Sequence, residues 1–209
     1  MFIFFKHWQG SKNLINIMSK EEIILDQIWN ELTASLEVGG HPFHIFSIST
    51  ILDNKPDSRN VVLRSVDKNK HRITFHTDVR SNKISQIKND KNVCALFYDK
   101  SKKIQIRAYG NIYIETNELI IKDKWSKSKK MSKLCYLNKS APGEKLNNSK
   151  DYLYEEKDLK DIEIGIKNFS VINIEINKID WLNLSHKGHE RIIIDFFNKN
   201  NIKFEWVAP

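Results

Sequence analysis

Three short stretches of this sequence carry residue types that suit a phosphorylated, planar ligand. R-N-V-V-L-R runs from Arg59 to Arg64, F-H-T-D-V-R-S-N-K from Phe75 to Lys83, and K-I-Q-I-R from Lys103 to Arg107. Side chains alternate between the faces of a strand, so Arg59, Val61 and Leu63 share one face and Asn60, Val62 and Arg64 the other. The two arginines then serve different parts of a site, or are exposed strand cations; the segment alone leaves both open. The second stretch is more specific. A strand ends at Thr77, a turn presents Arg80 and Ser81, and a helix starts there with Lys83 in its first turn. Free N–H groups at a helix start, a hydroxyl and two cations suit a phosphate. A lysine beside the positive end of the helix dipole is a local conflict that a bound anion relieves. Gln105 and Arg107 lie two apart and share a strand face, where the carboxamide meets either a heterocycle's edge or solvent.

A fourth stretch, W-L-N-L-S-H-K-G-H-E-R, spans Trp181 to Arg191. Trp181 offers a stacking plane, although a tryptophan is core by default. His189 and Arg191 point the same way if the segment is extended; a single histidine there is as readily a surface one.

The elements that must position these residues read as follows. Ser19 caps a helix with Glu21 and Glu22 in its first turn, and Ile23, Ile24, Ile28, Leu32 and Leu36 repeat at helical spacing until Gly39-Gly40. Residues 43–51 alternate as a strand, and D-N-K-P-D-S at 53–58 is turn chemistry. Residues 59–66 and 71–77 form a hairpin across D-K-N-K, with Asn69 suited to a positive φ. A short helix is expected over 81–89, strands over 92–98 and 103–115, and a helix over 117–130. A loop over 138–150, a short helix over 151–161 and strands over 169–176, 179–184 and 190–197 complete the chain. Six or seven mostly antiparallel strands with short helices predict a mainly β fold, a closed β-barrel with helical decoration. A doubly wound parallel sheet requires regular strand–helix alternation, which is missing.

The 209 residues, 40% apolar, suffice for one domain, expected over 19–209. Residues 1–18 read as a leader, or as an over-long start ahead of Met18. No apolar run reaches the length of a membrane span, and M-F-I-F-F is too short for a signal-peptide core, so a cytoplasmic protein is expected. Cys94 and Cys135 lack C-x-x-C spacing; Cys94, in V-C-A-L-F, reads as a small buried residue. No metal-ligand set is evident. The net charge of +8 invites a nucleic-acid partner, but Lys and Asn are spread along the whole chain, so none is expected. The one dense run, Lys122 to Lys133, reads as a solvated helix face, with an anion site as the alternative.

Taken together and in this order, the four stretches resemble the pyridoxamine 5'-phosphate oxidase family, the FMN-binding split barrels, over roughly residues 40–195. R-N-V-V-L-R is similar to the family's R-x-V-L-L-K, F-H-T-D-V-R-S-N-K to its F-x-T and phosphate turn, Q-I-R to its Q-V-R, and Trp181 with K-G-H-E-R to its W…R-x-H-x-R ending. The resemblance implies a homodimer with FMN at the subunit interface. Arg59 and Lys83 would hold the FMN phosphate, helped by Arg80 and Ser81. Asn60, Val61, Val62, Leu63, Arg64, His76 and Thr77 would line the flavin and ribityl chain. Gln105 would touch the isoalloxazine, Trp181 and Arg191 would come from the partner, and Ser140, ahead of Pro142-Gly143, would be a further contact. His189 and Lys187 would orient a small-molecule substrate, with pyridoxamine 5'-phosphate as the candidate. The chain departs from the family at Arg64 and Lys187, and at 123–133, where the substrate-phosphate residues should fall. It is closer there to the oxidase-related FMN-binding proteins. The function implied is an FMN-dependent oxidoreductase; a flavin-reductase-like protein and a flavin-binding module without turnover are the alternatives.

Overall fold

A computed structural model describes residues 18–155, 161–198 and 201–209; the expected leader lies, but for Met18, outside them. The chain opens with α1 (Lys20–Ala34), whose start is a full capping box between Ser19 and Glu22. Its buried stripe of Ile24, Ile28, Trp29 and Leu32 faces the sheet. The helix stops at Ala34, ahead of Gly39-Gly40, and the intervening residues form turns.

β1 (Ile45–Leu52) and β2 (Lys55–Asp67) form a hairpin whose turn is only Asp53-Asn54, both at positive φ (50° and 59°). The turn is thus tighter than 53–58, and Pro56 already lies in β2. It is tolerated because β2 pairs with its second neighbour only from Leu63 onward, leaving this half of the strand with a free edge. β2 leads through a 3-10 turn, Lys68–Lys70, into β3 (Arg72–Asp78). The left-handed residue there is His71 (φ 47°), not Asn69. α2 (Asn82–Asn89), β4 (Asn92–Asp99) and β5 (Ile104–Ile114) follow close to expectation.

The expected helix over 117–130 is two helices, α3 (Glu118–Ser126) and α4 (Lys130–Leu134). No helix forms over 151–155; residues 156–160 of the expected short helix lie outside the described residues. β6 (Phe169–Asn183) is one unbroken strand where two were expected. β7 (Glu190–Asn198) is paired with an unexpected β8 (Asn201–Val207), so among the described residues the strands number eight rather than six or seven.

All pairings are antiparallel, in the order β3-β2-β1-β4-β5-β6-β7-β8. β3 also pairs with β6 along its whole length, so six strands close into a ring and β7–β8 extend it. The interior is filled by Phe46, Ile48, Leu63, Phe75, Phe97, Ile106, Ile112 and Ile172, all buried, each contributing roughly 1.5–3 kcal/mol relative to exposure. A smaller cluster of Trp125, Phe169 and Val171 attaches α3 outside the ring. β6 serves two partners at once, and this requires Gly110. A Cβ there would lie 2.0 Å from the Glu175 carbonyl oxygen, at the bulge where β5 meets β6. Cys94 is half-buried on the outer face of β4 rather than in the core. Among the described residues, no helix is long and apolar enough to cross a membrane.

Candidate functional site

Arg59 shares the inward face of β2 with Val61 and Leu63, as the alternation predicts. Near the end of the ring its guanidinium donates to the hydroxyl of Thr50 and pairs with Asp57, and it donates to Gln86 Oε1 at 2.8 Å. Gln86 in turn donates to Asp57 at 2.7 Å and accepts from Thr50 at 2.6 Å. Thr50 and Gln86 are buried, so Arg59 is held rigidly by a network that its own motif did not announce.

Beside it stands the start of α2. Ser81, buried, occupies the N-cap position but makes no side-chain cap to the helix backbone. Its hydroxyl instead accepts from Lys83 Nζ at 2.9 Å, and Thr77 Oγ1 accepts from the same ammonium at 3.0 Å. Burial first, then the neighbouring Arg59 charge, holds Lys83 below its ordinary pKa. A cation-rich, uncapped helix start with a destabilised ammonium fits a phosphate: the anion would satisfy the free N–H groups and neutralise both cations.

Arg80 does something different. It pairs with the buried Asp78 and donates to the carbonyls of Asn138 (3.1 Å) and Lys139 (3.2 Å). It thereby clamps the following loop, which carries Ser140, against the start of α2; an added Cβ at Gly143 would sit 3.4 Å from Asn82.

A second group lies on the outer side of β2 and β3. Arg64, at the β2 bulge, and His76 line a cavity of about 250 Å³ with His44, Lys124, Lys127, Ser128, Lys129 and Ser132. Part of the lysine run is therefore not a solvated face. Lys122 and Lys127 are exposed and pair with Glu118 and Asp123, Lys127 standing at the rim of this cavity; Lys124 and Lys129 also line it, and Lys133 pairs with Glu163 over the Trp125 ring. The signal available in the sequence was Ser128 and Ser132, four apart and interleaved with the cations. Burial, together with the positive charges of Arg64 and Lys124, pushes the His76 pKa down to about 3, so the ring is neutral. Asn60 is exposed, its carboxamide accepting from Ser47 at 2.6 Å, and Val62 beside it is half-buried.

The third group lies on the outer face of β5–β7. Gln105 stands opposite Leu182, which stands opposite Arg191. Arg107 and Arg191 both bind the buried carboxylate of Asp180, Arg191 through two hydrogen bonds of 3.0 and 2.9 Å. Burial works against the charge of Asp180, but the two guanidiniums outweigh it and hold the carboxyl below its usual range. Trp181 takes the other face: it is buried between Ile106 and Ile192 of the adjoining strands. Its side chain is core in this chain, turned away from Gln105 and Arg191. Lys187 and His189 are exposed on the turn between β6 and β7.

Residues 26–116, which contain Arg59, Arg64, His76, Thr77, Ser81, Lys83 and Gln105 but not the α3–α4 residues of the cavity, match the family described as pyridoxamine 5'-phosphate oxidase, FMN-binding domain. Over these residues the chain is similar to the FMN-binding domain of that family, and its cofactor is FMN. A curated relative, pyridoxine/pyridoxamine 5'-phosphate oxidase 2 of Arabidopsis thaliana, is 26% identical over 175 residues, covering 78% of this chain and 86% of that protein. Among solved structures, a pyridoxamine 5'-phosphate oxidase-related, FMN-binding protein of Nostoc punctiforme superposes with a TM-score of 0.71 at 15% identity, covering 92% of this chain and all of that one (100%). PhzG of Burkholderia lata, solved in complex with tetrahydrophenazine-1-carboxylic acid, gives 0.66 at 16% identity over 93% of this chain and 98% of that one. These structural likenesses establish the split-barrel fold. Within these residues the uncapped α2 start, with Lys83, Ser81, Thr77 and Arg59, is the group whose chemistry fits the FMN phosphate.

Proposed function

We propose that the protein is an FMN-dependent oxidoreductase whose substrate carries an anionic head group, with pyridoxamine 5'-phosphate as the candidate. The observation that carries this is the cavity beside His76, lined by Arg64, Lys124 and Lys129 with Ser128 and Ser132, and with the Asp123-paired Lys127 at its rim. Four cations and two hydroxyls around one small cavity form an anion site. It adjoins β2 and β3, the strands whose outward residues Asn60, Val62 and Arg64 would line the flavin. Bound FMN supplies the hydride-accepting chemistry. The chain's own residues bind and orient: Lys83, Ser81, Thr77 and Arg59 hold the cofactor's phosphate, with Ser140 brought alongside by Arg80. Arg64 and the α3–α4 lysines fix the substrate's anion.

A homodimer completes this proposal. Ile45 (55% exposed), Leu96 (38%) and Tyr98 (47%) form an apolar outer face on β1 and β4, strands that are central in the sheet order. Such a face is the mark of an interface. A second chain placed there would bring Gln105 and Arg191, and the Lys187–His189 turn, to the first chain's flavin.

The test is an absorbance spectrum of the purified protein, followed by anaerobic addition of pyridoxamine 5'-phosphate and, separately, of pyridoxamine. Bleaching of the flavin by the phosphorylated compound alone is expected. A protein that takes up FMN but is bleached by neither compound would leave a flavin-binding module without turnover as the function. Arg64→Ala should raise the concentration of phosphorylated substrate needed for half-maximal bleaching about tenfold or more, the effect of one charge-assisted hydrogen bond.

A further inference from the structure

The cavity lined by Arg64, His76 and the α3–α4 lysines contains one atom that its cations do not explain. His76 Nε2 is buried and has no hydrogen-bond partner. A buried polar atom in that state is unfavourable until something bonds it. The ring is held from one side by the edge of Phe169, at 4.7 Å between centroids and 72° between planes. Its backbone is fixed by pairing with Val171 in the β3–β6 seam that closes the ring of strands. The imidazole is therefore a rigid, pre-positioned group in the wall of an anion cavity. Its neutrality follows from where it sits. An imidazolium would be buried beside Arg64 and Lys124, and that charge is expelled rather than accommodated.

We propose that His76 is a specificity-determining residue of this cavity, an uncharged hydrogen-bond donor to the tetrahedral oxyanion head group of the ligand. It rests on the anion-site assignment above and adds to it. The lysines and Arg64 supply charge, which any anion satisfies. The Nε2–H of a fixed neutral ring supplies direction, which requires an oxygen at one place. A phosphate, with several acceptor oxygens around one centre, can meet the cations and the imidazole at the same time. Neighbouring Ser128 and Ser132 extend the same directional set. The missing partner of Nε2 and the charge of the cavity are thus satisfied by one ligand.

The experiment uses the FMN-loaded protein and inorganic phosphate as the probe. Phosphate affinity is measured by calorimetry for wild type, His76→Phe, His76→Gln and Arg64→Ala, each checked for flavin occupancy and melting temperature. In parallel, the ring nitrogens of His76 are followed by ¹⁵N NMR in histidine-labelled protein. Phosphate should shift the Nε2 resonance while the ring stays neutral. His76→Phe, which keeps the contact with Phe169, should weaken phosphate about 10- to 100-fold, the loss of one hydrogen bond to a charged group. His76→Gln, which retains an N–H donor, should recover most of that loss. If Arg64→Ala weakens phosphate but His76→Phe binds as wild type and the Nε2 resonance does not move, the role of His76 is overturned and the anion site stands. If wild type binds no phosphate, or Arg64→Ala binds it unchanged, the anion site and this inference fall together. If His76→Phe does not fold, the NMR titration and His76→Gln decide: an unmoved resonance overturns the proposal.

Discussion

Lys83→Ala isolates the cofactor's phosphate from everything else in the site. Among the described residues the ammonium donates to two hydroxyls, those of Thr77 and Ser81, and it is held below its ordinary pKa by burial and by Arg59. Its removal therefore deletes one charge-assisted contact to a phosphate, worth about 1.5–3 kcal/mol, so FMN should bind roughly 10- to 150-fold more weakly. Riboflavin, which lacks the phosphate, should bind as it does to wild type. The flavin-free variant should melt at the wild-type temperature or above it, because a partly desolvated cation has been removed. Arg59→Ala would be a poorer test: it strips a partner from the buried Thr50 and Gln86 and so lowers stability as well. The assay is quenching of flavin fluorescence, with FMN and riboflavin titrated side by side. An FMN affinity within threefold of wild type, or an equal loss for riboflavin, would refute the phosphate role of Lys83. The sign of the pH dependence is also set. FMN binding requires the charged ammonium, so affinity should fall as pH rises through the lowered Lys83 pKa, earlier than for an ordinary lysine, and that component should vanish in Lys83→Ala.

Other outcomes follow from particular contacts. Gly110→Ala must push the Glu175 carbonyl from 2.0 Å to an ordinary contact, shifting β5 against β6; a loss of about 3 kcal/mol or more in urea unfolding is expected. Gly39→Ala, with nothing within 4 Å, should leave the urea midpoint unchanged. Asp180→Asn removes the carboxylate that Arg107 and Arg191 share. Because the folded pKa of Asp180 is lowered, its contribution to stability is present above the ordinary value of 3.8 and is lost as pH falls through the folded one. The variant should therefore be less stable at neutral pH and show a shallower acid limb in melting temperature against pH; an unchanged limb would show that the pair contributes nothing. The apolar patch of Ile45, Leu96 and Tyr98 predicts that Leu96→Glu shifts the protein from dimer to monomer in sedimentation and weakens FMN at the same time.

Much of the fold was legible because its signals are local. The alternation of β1, the capping box at Ser19 and the Asp53-Asn54 turn depend on residues a few positions apart. The cluster at the start of α2 was legible for the same reason: Thr77, Ser81 and Lys83 lie within seven positions and meet in space. β8 carried the same local signal and was missed all the same: N-I-K-F-E-W-V alternates polar and apolar residues as far as Trp206, and the segment pairs with β7. The single course of β6 was missed for a non-local reason. Asn177-Lys178 reads as a break, but pairing with β5 and β7 on either side carries the strand through it.

By itself, then, the order of residues determined the cofactor class and the face each strand residue takes, because alternation and helix capping are short-range effects. Tertiary structure decided which of those residues share a site. It placed Trp181 in the core by setting Ile106 and Ile192 beside it in register, and gave Arg80 the carbonyls of a following loop to hold. It also folded α3 and α4 over β3, so that lysines some fifty residues from His76 became the lining of its cavity. Cations along a helix carry no mark of what they will face. The packing of Trp125 on Phe169 at the ring's exterior places the helix that carries them.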